Sequence, residues 1–119
     1  MLFPEAQLRI WLYSQPCDMR KSYNGLSALV KNQLREDPLS GQLFVFINRI
    51  RTQMKVLYFD RSGYCIWGKK LEQGTFHSPR ASSEKQRLSW TDLKLIMEGI
   101  DSGSVRRFKR YEHPIKHGV

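Results

Sequence analysis

The sequence LFVFINRIRTQMKVLYFDRSGYCIWGKKL, residues 43–71, holds the densest run of β-forming side chains in the chain. Its Val, Ile, Phe, Tyr and Trp residues fall into three segments separated by polar breaks, which is the pattern of an antiparallel meander. The predicted strands are Leu43–Asn48, Met54–Phe59 and Tyr64–Leu71. The break between the last two predicts a tight hairpin, with Asp60 starting the turn and Gly63 taking a positive φ.

Five basic residues of this meander are predicted to gather at one end of the sheet. Arg49 and Arg51 lie in the first connection, and Lys55 begins the second strand. Lys69 and Lys70 end the third strand, which runs back toward that connection. We call these five residues the basic rim. Because Lys and Arg clusters hold phosphate groups, the rim is a candidate DNA-binding surface.

Side-chain alternation predicts which residues share a face of the meander. Pairing of Phe59 with Tyr64 gives one face with Leu57, Phe59, Tyr64 and Ile66, and another with Val56, Tyr58, Cys65, Trp67 and Lys69. Neither face is polar, so one interpretation is a sheet covered on both sides. The alternative is that Tyr58 and Trp67 form an exposed platform on which nucleic-acid bases stack.

The flanking segments complete an α+β fold. Leu8–Tyr13 predicts a fourth strand added to an edge of the meander. Apolar residues at helical spacing predict one helix over Ser22–Arg35, with Ser22 as its N-cap, and another opening at residues 88–93. The expected fold is a small antiparallel sheet of about four strands, a three-strand meander plus an N-terminal edge strand, packed with two helices.

Two polar features lie near these helices. Ser89 and Asp92 are spaced as a capping box at the start of the second helix, which Gly99 and Gly103 are expected to end. Residues 80–86 predict an exposed, mobile loop.

The composition favours an anionic partner. The chain has 119 residues, enough for one domain, and a net charge of +9 from 20 Lys and Arg against 11 Asp and Glu. A balance of this kind is typical of proteins that bind nucleic acid. We expect residues 1–104 to form a single α+β domain and residues 105–119 a basic C-terminal tail, whose Arg106 and Arg107 either contact DNA or stay solvated.

The cysteines and the apolar pattern exclude several classes of protein. Cys17 and Cys65 form no CxxC pattern, so neither a zinc ribbon nor a disulfide framework is indicated. The N-terminus lacks a signal-peptide pattern, and no apolar stretch is long enough to cross a membrane. We therefore expect a cytoplasmic protein without membrane contact.

Arg20 and Lys21 precede the first helix, where backbone N–H groups point outward and a phosphate would be held. The alternative is that Arg20 pairs with Asp18 and fixes the loop between strand and helix.

Catalytic patterns are weak. Asp18, Asp60, Glu72 and Asp101 are the candidate ligands for a metal-dependent nuclease, but each has a simpler role in a turn, an ion pair or a helix end. His113 and His117 are separated by a helix-breaking Pro114, which argues against a zinc site. No phosphate-binding loop, nucleophile elbow or dinucleotide fingerprint occurs. The sequence predicts binding rather than catalysis, with no catalytic residue, metal or cofactor.

Several strings together resemble a known family. They are CDMRK (17–21) followed by Gly25-Leu26, LFVFINR (43–49), KVLYFD (55–60), Gly63-Tyr64, KKLEQGTF (69–76) and residues 93–101. Their order and spacing resemble the TnpB accessory proteins, products of the second reading frame, of the insertion-sequence family numbered sixty-six. The resemblance covers residues 8–101, with two departures: Ser22 replaces a usual Gly, and Ile50 interrupts a usual basic run.

The resemblance implies a bacterial mobile-element protein of small α+β fold, required with a separate element-encoded transposase for efficient transposition. It supplies no catalytic residues. The leading hypothesis is a non-catalytic factor that binds DNA, at the element ends. Its alternatives are a protein-interaction module docking on the transposase and a small metal-dependent nuclease. The sequence leaves open the DNA sequence, the strandedness and the oligomeric state.

Overall fold

A computed structural model describes residues 8–78 and 83–99. These residues form a mixed sheet of five strands in the order β4-β3-β2-β1-β5. The strands are β1 (Ile10–Tyr13), β2 (Leu43–Ile47), β3 (Gln53–Asp60), β4 (Gly63–Lys70) and β5 (Lys85–Leu88). The predicted α+β class is confirmed, with one strand more than expected.

The meander of β2, β3 and β4 has the predicted antiparallel register. Phe59 pairs with Tyr64, so the predicted division of side chains between the two faces is confirmed. The hairpin is tighter than predicted, because Gly63 already belongs to β4 and pairs with Asp60. The positive φ of 59° belongs to Arg61, so assigning it to Gly63 was wrong.

β1 does not lie at an edge of the sheet. It joins the meander through a parallel pairing with β2, in which Ile10 lies opposite Leu43. It is thus added to an edge of the meander, as predicted, but its other side pairs with β5, so it is not an edge strand of the whole sheet. The parallel pair also makes the sheet mixed, where a wholly antiparallel one was expected. A parallel pair needs a long crossover connection, which the first helix supplies.

β5 was missed because its sequence, Lys-Gln-Arg-Leu, has no β-branched or aromatic residue. Tertiary contacts hold it in place: Leu88 is buried, and the Lys85 ammonium lies 4.5 Å from the centre of the Trp11 ring. The predicted mobile loop over residues 80–86 was therefore wrong for Lys85 and Gln86, while residues 79–82 lie outside the described part of the chain.

The first helix, α1 (Tyr23–Leu29), continues as a π-helical segment (Val30–Leu34). Its apolar stripe packs on one face of the sheet in a core cluster with Phe44, Phe46 and Leu57. Ser22 is the N-cap residue, as predicted, although its side chain makes no capping hydrogen bond. Packing favours glycine at position 25, because a Cβ there would come within 3.2 Å of the Lys21 side chain.

The second helix, α2 (Trp90–Glu98), covers the opposite face through Leu93 and Ile96. The predicted capping box is confirmed: Ser89 Oγ accepts a hydrogen bond from the Asp92 N–H at 2.9 Å, and Asp92 Oδ2 accepts one from the Ser89 N–H at 3.1 Å. The helix ends at Gly99, in the left-handed conformation with a φ of 77°. The sheet is thus covered on both sides.

The predicted division into residues 1–104 and 105–119 stays a prediction. Residues 100–119, with the predicted contacts Arg106 and Arg107, lie outside the described part of the chain. Among the helices that the structure describes, none is long and apolar enough to cross a membrane.

Candidate nucleic-acid interface

The turn between β2 and β3 carries the centre of the basic rim. Asn48 shapes it, because its Oδ1 accepts hydrogen bonds from the backbone N–H groups of Thr52 and Gln53 at 2.9 and 3.0 Å. The backbone N–H of Arg51 donates to the Asn48 carbonyl at 3.0 Å, which closes the turn. Arg49 and Ile50 are left exposed at the tip.

The Arg51 side chain makes hydrogen bonds within the protein. Its Nε donates to the carbonyl of Phe76 at 2.9 Å, and its Nη2 donates to Ser78 Oγ. The backbone N–H of Phe76 returns a hydrogen bond to the Arg51 carbonyl at 2.7 Å. Arg51 therefore holds the segment after β4 against the β2–β3 turn.

Lys55 holds a second segment. Its ammonium donates to the carbonyl of Met19 at 2.9 Å and to that of Lys21 at 2.8 Å. These contacts fasten the loop before α1 to β3. An ammonium has three N–H donors, so one of them remains for another acceptor.

Lys69 holds a third segment, on the other face of the sheet. Its ammonium donates to the carbonyl of Met97 at 2.7 Å, in the last turn of α2. The final carbonyls of a helix lack intrahelical partners and carry a partial negative charge, so a lysine there stabilises the helix end.

The basic rim is thus assembled as predicted at one end of the sheet, but it is divided between two faces. Lys69 lies opposite Met54 on the α2 side, and Lys70 lies opposite Gln53 on the α1 side with Lys55. Arg49 and Lys70 are exposed and make no ion pair or side-chain hydrogen bond with another described residue.

No described carboxylate neutralises the rim. The ion pairs within residues 8–78 and 83–99 are Arg20 with Asp18 and Lys85 with Glu36, and neither involves a rim residue. Within the described residues, the charge of the rim is thus not compensated by an ion pair.

Arg20 pairs with Asp18, which was the alternative prediction for the loop before α1. The closest contact is 2.7 Å between Arg20 Nη2 and Asp18 Oδ2, and the Arg20 backbone N–H donates to Asp18 Oδ1 at 2.9 Å. Hydrogen bonds from Arg20 lower the pKa of the Asp18 carboxyl to about 2. The Arg20 side chain is still 91% exposed, and Lys21 beside it is exposed as well.

Tyr58 and Trp67 lie on the α2 side, where both pack against the core cluster that includes Val56 and Ile96. Both are half-buried. Burial, with a hydrogen bond to Cys65, raises the pKa of the Tyr58 hydroxyl to about 12. The interpretation of a sheet covered on both sides is confirmed, and a stacking role for these rings stays a prediction.

A pocket of about 370 Å³ opens beside the rim and was not foreseen. Arg49 and Arg51 contribute to its wall, together with Ser14 and Gln15 after β1 and His77 in the segment after β4. In the sequence, residues 14–16 simply follow the predicted strand Leu8–Tyr13. The parallel pairing of β1 with β2 brings these segments together, and no local pattern encodes that pairing.

The candidate metal ligands that the structure describes, Asp18, Asp60 and Glu72, do not form a metal site. Asp60 is the last residue of β3, whereas Glu72 follows β4 at the opposite end of the sheet. In the described part of the chain, no three His, Cys, Asp or Glu side chains are grouped so that they would hold a metal ion. Asp101, His113 and His117 lie outside the described residues.

Comparisons with known proteins point to one family. The family model described as IS66 Orf2 like protein matches residues 8–107. The uncharacterized protein y4jC of Sinorhizobium fredii is 35% identical over 116 residues, which cover 98% of each chain. The uncharacterized protein y4hO of the same organism is 34% identical over 101 residues, 84% of this chain and 88% of that protein. No solved structure matches significantly.

Proposed function

This chain belongs to the IS66 Orf2-like family and is involved in insertion-sequence transposition, where we propose that it acts as a non-catalytic DNA-binding factor beside a separate transposase. One observation carries the proposal: the basic rim gathers five cations at one end of the sheet, and no described carboxylate pairs with any of them. DNA presents a dense row of phosphates, which is the partner that such a surface fits.

The rim residues divide by role. Arg49 and Lys70, which are exposed, contact phosphates directly, and Lys21 extends the surface on the α1 side. Lys55 offers its remaining N–H to the same backbone. Arg51 and Lys69 mainly hold the segments that frame the surface.

A salt titration tests this proposal. If five to eight phosphates are neutralised, the slope of log K against log salt is about −4 to −7 on duplex DNA. Fluorescence anisotropy with the terminal repeats of the element and a scrambled duplex measures both the slope and any sequence preference. A flat salt response, or no binding at low salt, would reject DNA binding.

Charge variants locate the surface. The triple variant Lys21→Gln, Arg49→Gln and Lys70→Gln removes three exposed cations without removing a hydrogen bond between described residues. Because each phosphate contact adds about 0.9 to the slope, we expect the slope to become shallower by about 2 to 3. Arg51 and Lys55 are unsuitable for this test, since their loss would disturb the fold.

A matched control removes the same charge elsewhere. Arg9→Gln, Lys31→Gln and Arg61→Asn change three exposed residues away from the rim, and Asn tolerates the positive φ at position 61. We expect this control to keep most of the slope. An equal loss in both triple variants would mean that binding depends on net charge and not on the rim.

A second candidate function is docking on the transposase. Ile50, at the tip of the rim turn, is 68% exposed, which is a large exposure for an isoleucine. Capture of the transposase in nuclease-treated, high-salt buffer would support this function, because those conditions remove charge-driven DNA contacts. Loss of capture on Ile50→Ser, with DNA binding retained, would assign the contact to this side chain.

A further inference from the structure

The pocket beside the rim lies where the two parallel strands of the sheet end. β1 ends at Tyr13 and β2 at Ile47, and their parallel pairing places both carboxyl ends at the same edge. In open α/β sheets, ligands commonly bind outside the carboxyl ends of the parallel strands. We call this cavity the strand-end pocket.

The chemistry of its wall suits an anion. Arg49 and Arg51 both line it, together with the hydroxyl-bearing Ser14 and Ser78, and none of the described residues that line it is acidic. The Ser14 hydroxyl oxygen is buried and has no hydrogen-bond partner among the described residues. The wall therefore carries one buried polar atom that the described residues do not satisfy.

Arg51 is preorganised for such a ligand. Two of its N–H groups are held by Phe76 and Ser78, which fixes the plane of the guanidinium. A guanidinium has five N–H donors, so three remain. An arginine already ordered loses little further side-chain entropy when it binds a phosphate.

The volume of the pocket and the apolar part of its wall indicate a ligand larger than an inorganic ion. A volume of about 370 Å³ is at the lower end of the range for small-molecule sites, about 300–1,000 Å³. Leu12, Pro16 and Ile47 give the wall an apolar part beside its basic part. A phosphate joined to a sugar and a base has the same division between a charged and an apolar portion.

We propose that the strand-end pocket binds the phosphomonoester of a nucleotide, either at the end of a DNA strand or as a free mononucleotide. A terminal phosphate fits a concave site, whereas an internal phosphate of a duplex is flanked by backbone on both sides. Assigning a DNA end as the source of the phosphate rests on the proposed function. The rim and the pocket share Arg49 and Arg51, so they would engage one strand end together.

Two measurements test the proposal on the full chain. In a two-dimensional ¹⁵N–¹H NMR titration, deoxyadenosine 5′-monophosphate should shift the amides of Ser14, Gln15, Arg49 and His77, and deoxyadenosine should not. In anisotropy assays, a duplex with 5′-phosphates should bind at least threefold tighter than the same duplex with 5′-hydroxyls. Arg49→Gln should abolish that difference, and the control Arg61→Asn should retain it.

The outcomes separate the two proposals. Unshifted pocket amides together with equal binding of the two duplexes would overturn the pocket assignment, while salt-dependent duplex binding would leave the proposed function standing. Pocket shifts with the mononucleotide but equal duplex binding would support the pocket and assign the free nucleotide as its source. Pocket shifts without any duplex binding would support the pocket and reject the proposed function.

Discussion

Arg51 and Phe76 exchange hydrogen bonds in both directions. The guanidinium Nε of Arg51 donates to the Phe76 carbonyl at 2.9 Å, and the Phe76 N–H donates to the Arg51 carbonyl at 2.7 Å. The Phe76 side chain is fully buried. Arg51 lies in a basic turn of the sequence, but it anchors Phe76, a core residue 25 positions later.

We expect Arg51→Lys to destabilise the protein although it keeps the charge. Lysine lacks the planar fork that reaches Phe76 and Ser78 together. Loss of these charge-assisted hydrogen bonds should lower the free energy of unfolding by about 1.5 to 3 kcal/mol, measured by urea denaturation. The control Arg49→Lys, in the same turn but exposed, should stay within about 0.5 kcal/mol of wild type. Equal effects of the two changes would contradict a structural role for the hydrogen bonds of Arg51.

We expect Lys55→Met to loosen the loop before α1. The change keeps the length of the side chain but removes the ammonium that binds the carbonyls of Met19 and Lys21. The expected loss of unfolding free energy is about 1 to 3 kcal/mol, with faster hydrogen exchange in residues 17–22. Lys70→Met, on the same face but exposed, is the control and should leave that exchange unchanged.

The Asp18–Arg20 pair predicts an acid-dependent contribution to stability. The folded-state pKa of Asp18, about 2, lies below its ordinary value of 3.8. The pair therefore contributes to stability above pH 3.8, and this contribution is lost as the pH falls toward 2. Arg20→Gln should raise the Asp18 pKa toward 3.8, because hydrogen bonds from Arg20 are its main cause. A ¹³C NMR titration of the carboxyl measures this, and Lys21→Gln is the control with the smaller effect.

Cys17 is expected to be alkylated more slowly than Cys65. Burial raises its pKa to about 11, and the nearby positive charge of Lys21 opposes this only partly. Since the thiolate is the reactive form, iodoacetamide in mildly alkaline buffer should label the half-buried Cys65 before Cys17. Mass spectrometry of the digested protein identifies the labelled residue. Both thiols should react when the protein is unfolded in urea, and faster labelling of Cys17 in the native protein would contradict its burial.

Local pattern was sufficient for the meander and for the start of α2. Three β-rich segments separated by short polar breaks leave few pairings other than an antiparallel one, and the register then follows from the hairpin. Ser89 and Asp92 form the capping box because the contact spans only three residues. In both cases the interacting groups are close in sequence, so the local sequence pattern is enough to predict the contact.

The parallel pairing of β1 with β2 and the presence of β5 required the tertiary structure. β5 has weak strand propensity of its own and is held by Leu88 in the core and by Lys85, which contacts both Trp11 and Glu36. Those partners are distant in sequence, and side-chain packing overrides propensity in such strands.

The sequence by itself determined that basic residues gather at one end of the sheet, because strand order and turn length place Arg49, Lys55 and Lys70 there. Only the tertiary structure decided which of the rim cations remain open to a ligand. Arg51, Lys55 and Lys69 bind carbonyls of segments that fold back from 25 to 36 residues away. A lysine or arginine in a sequence shows its charge, but its partner is set by packing between distant segments, which no local pattern specifies.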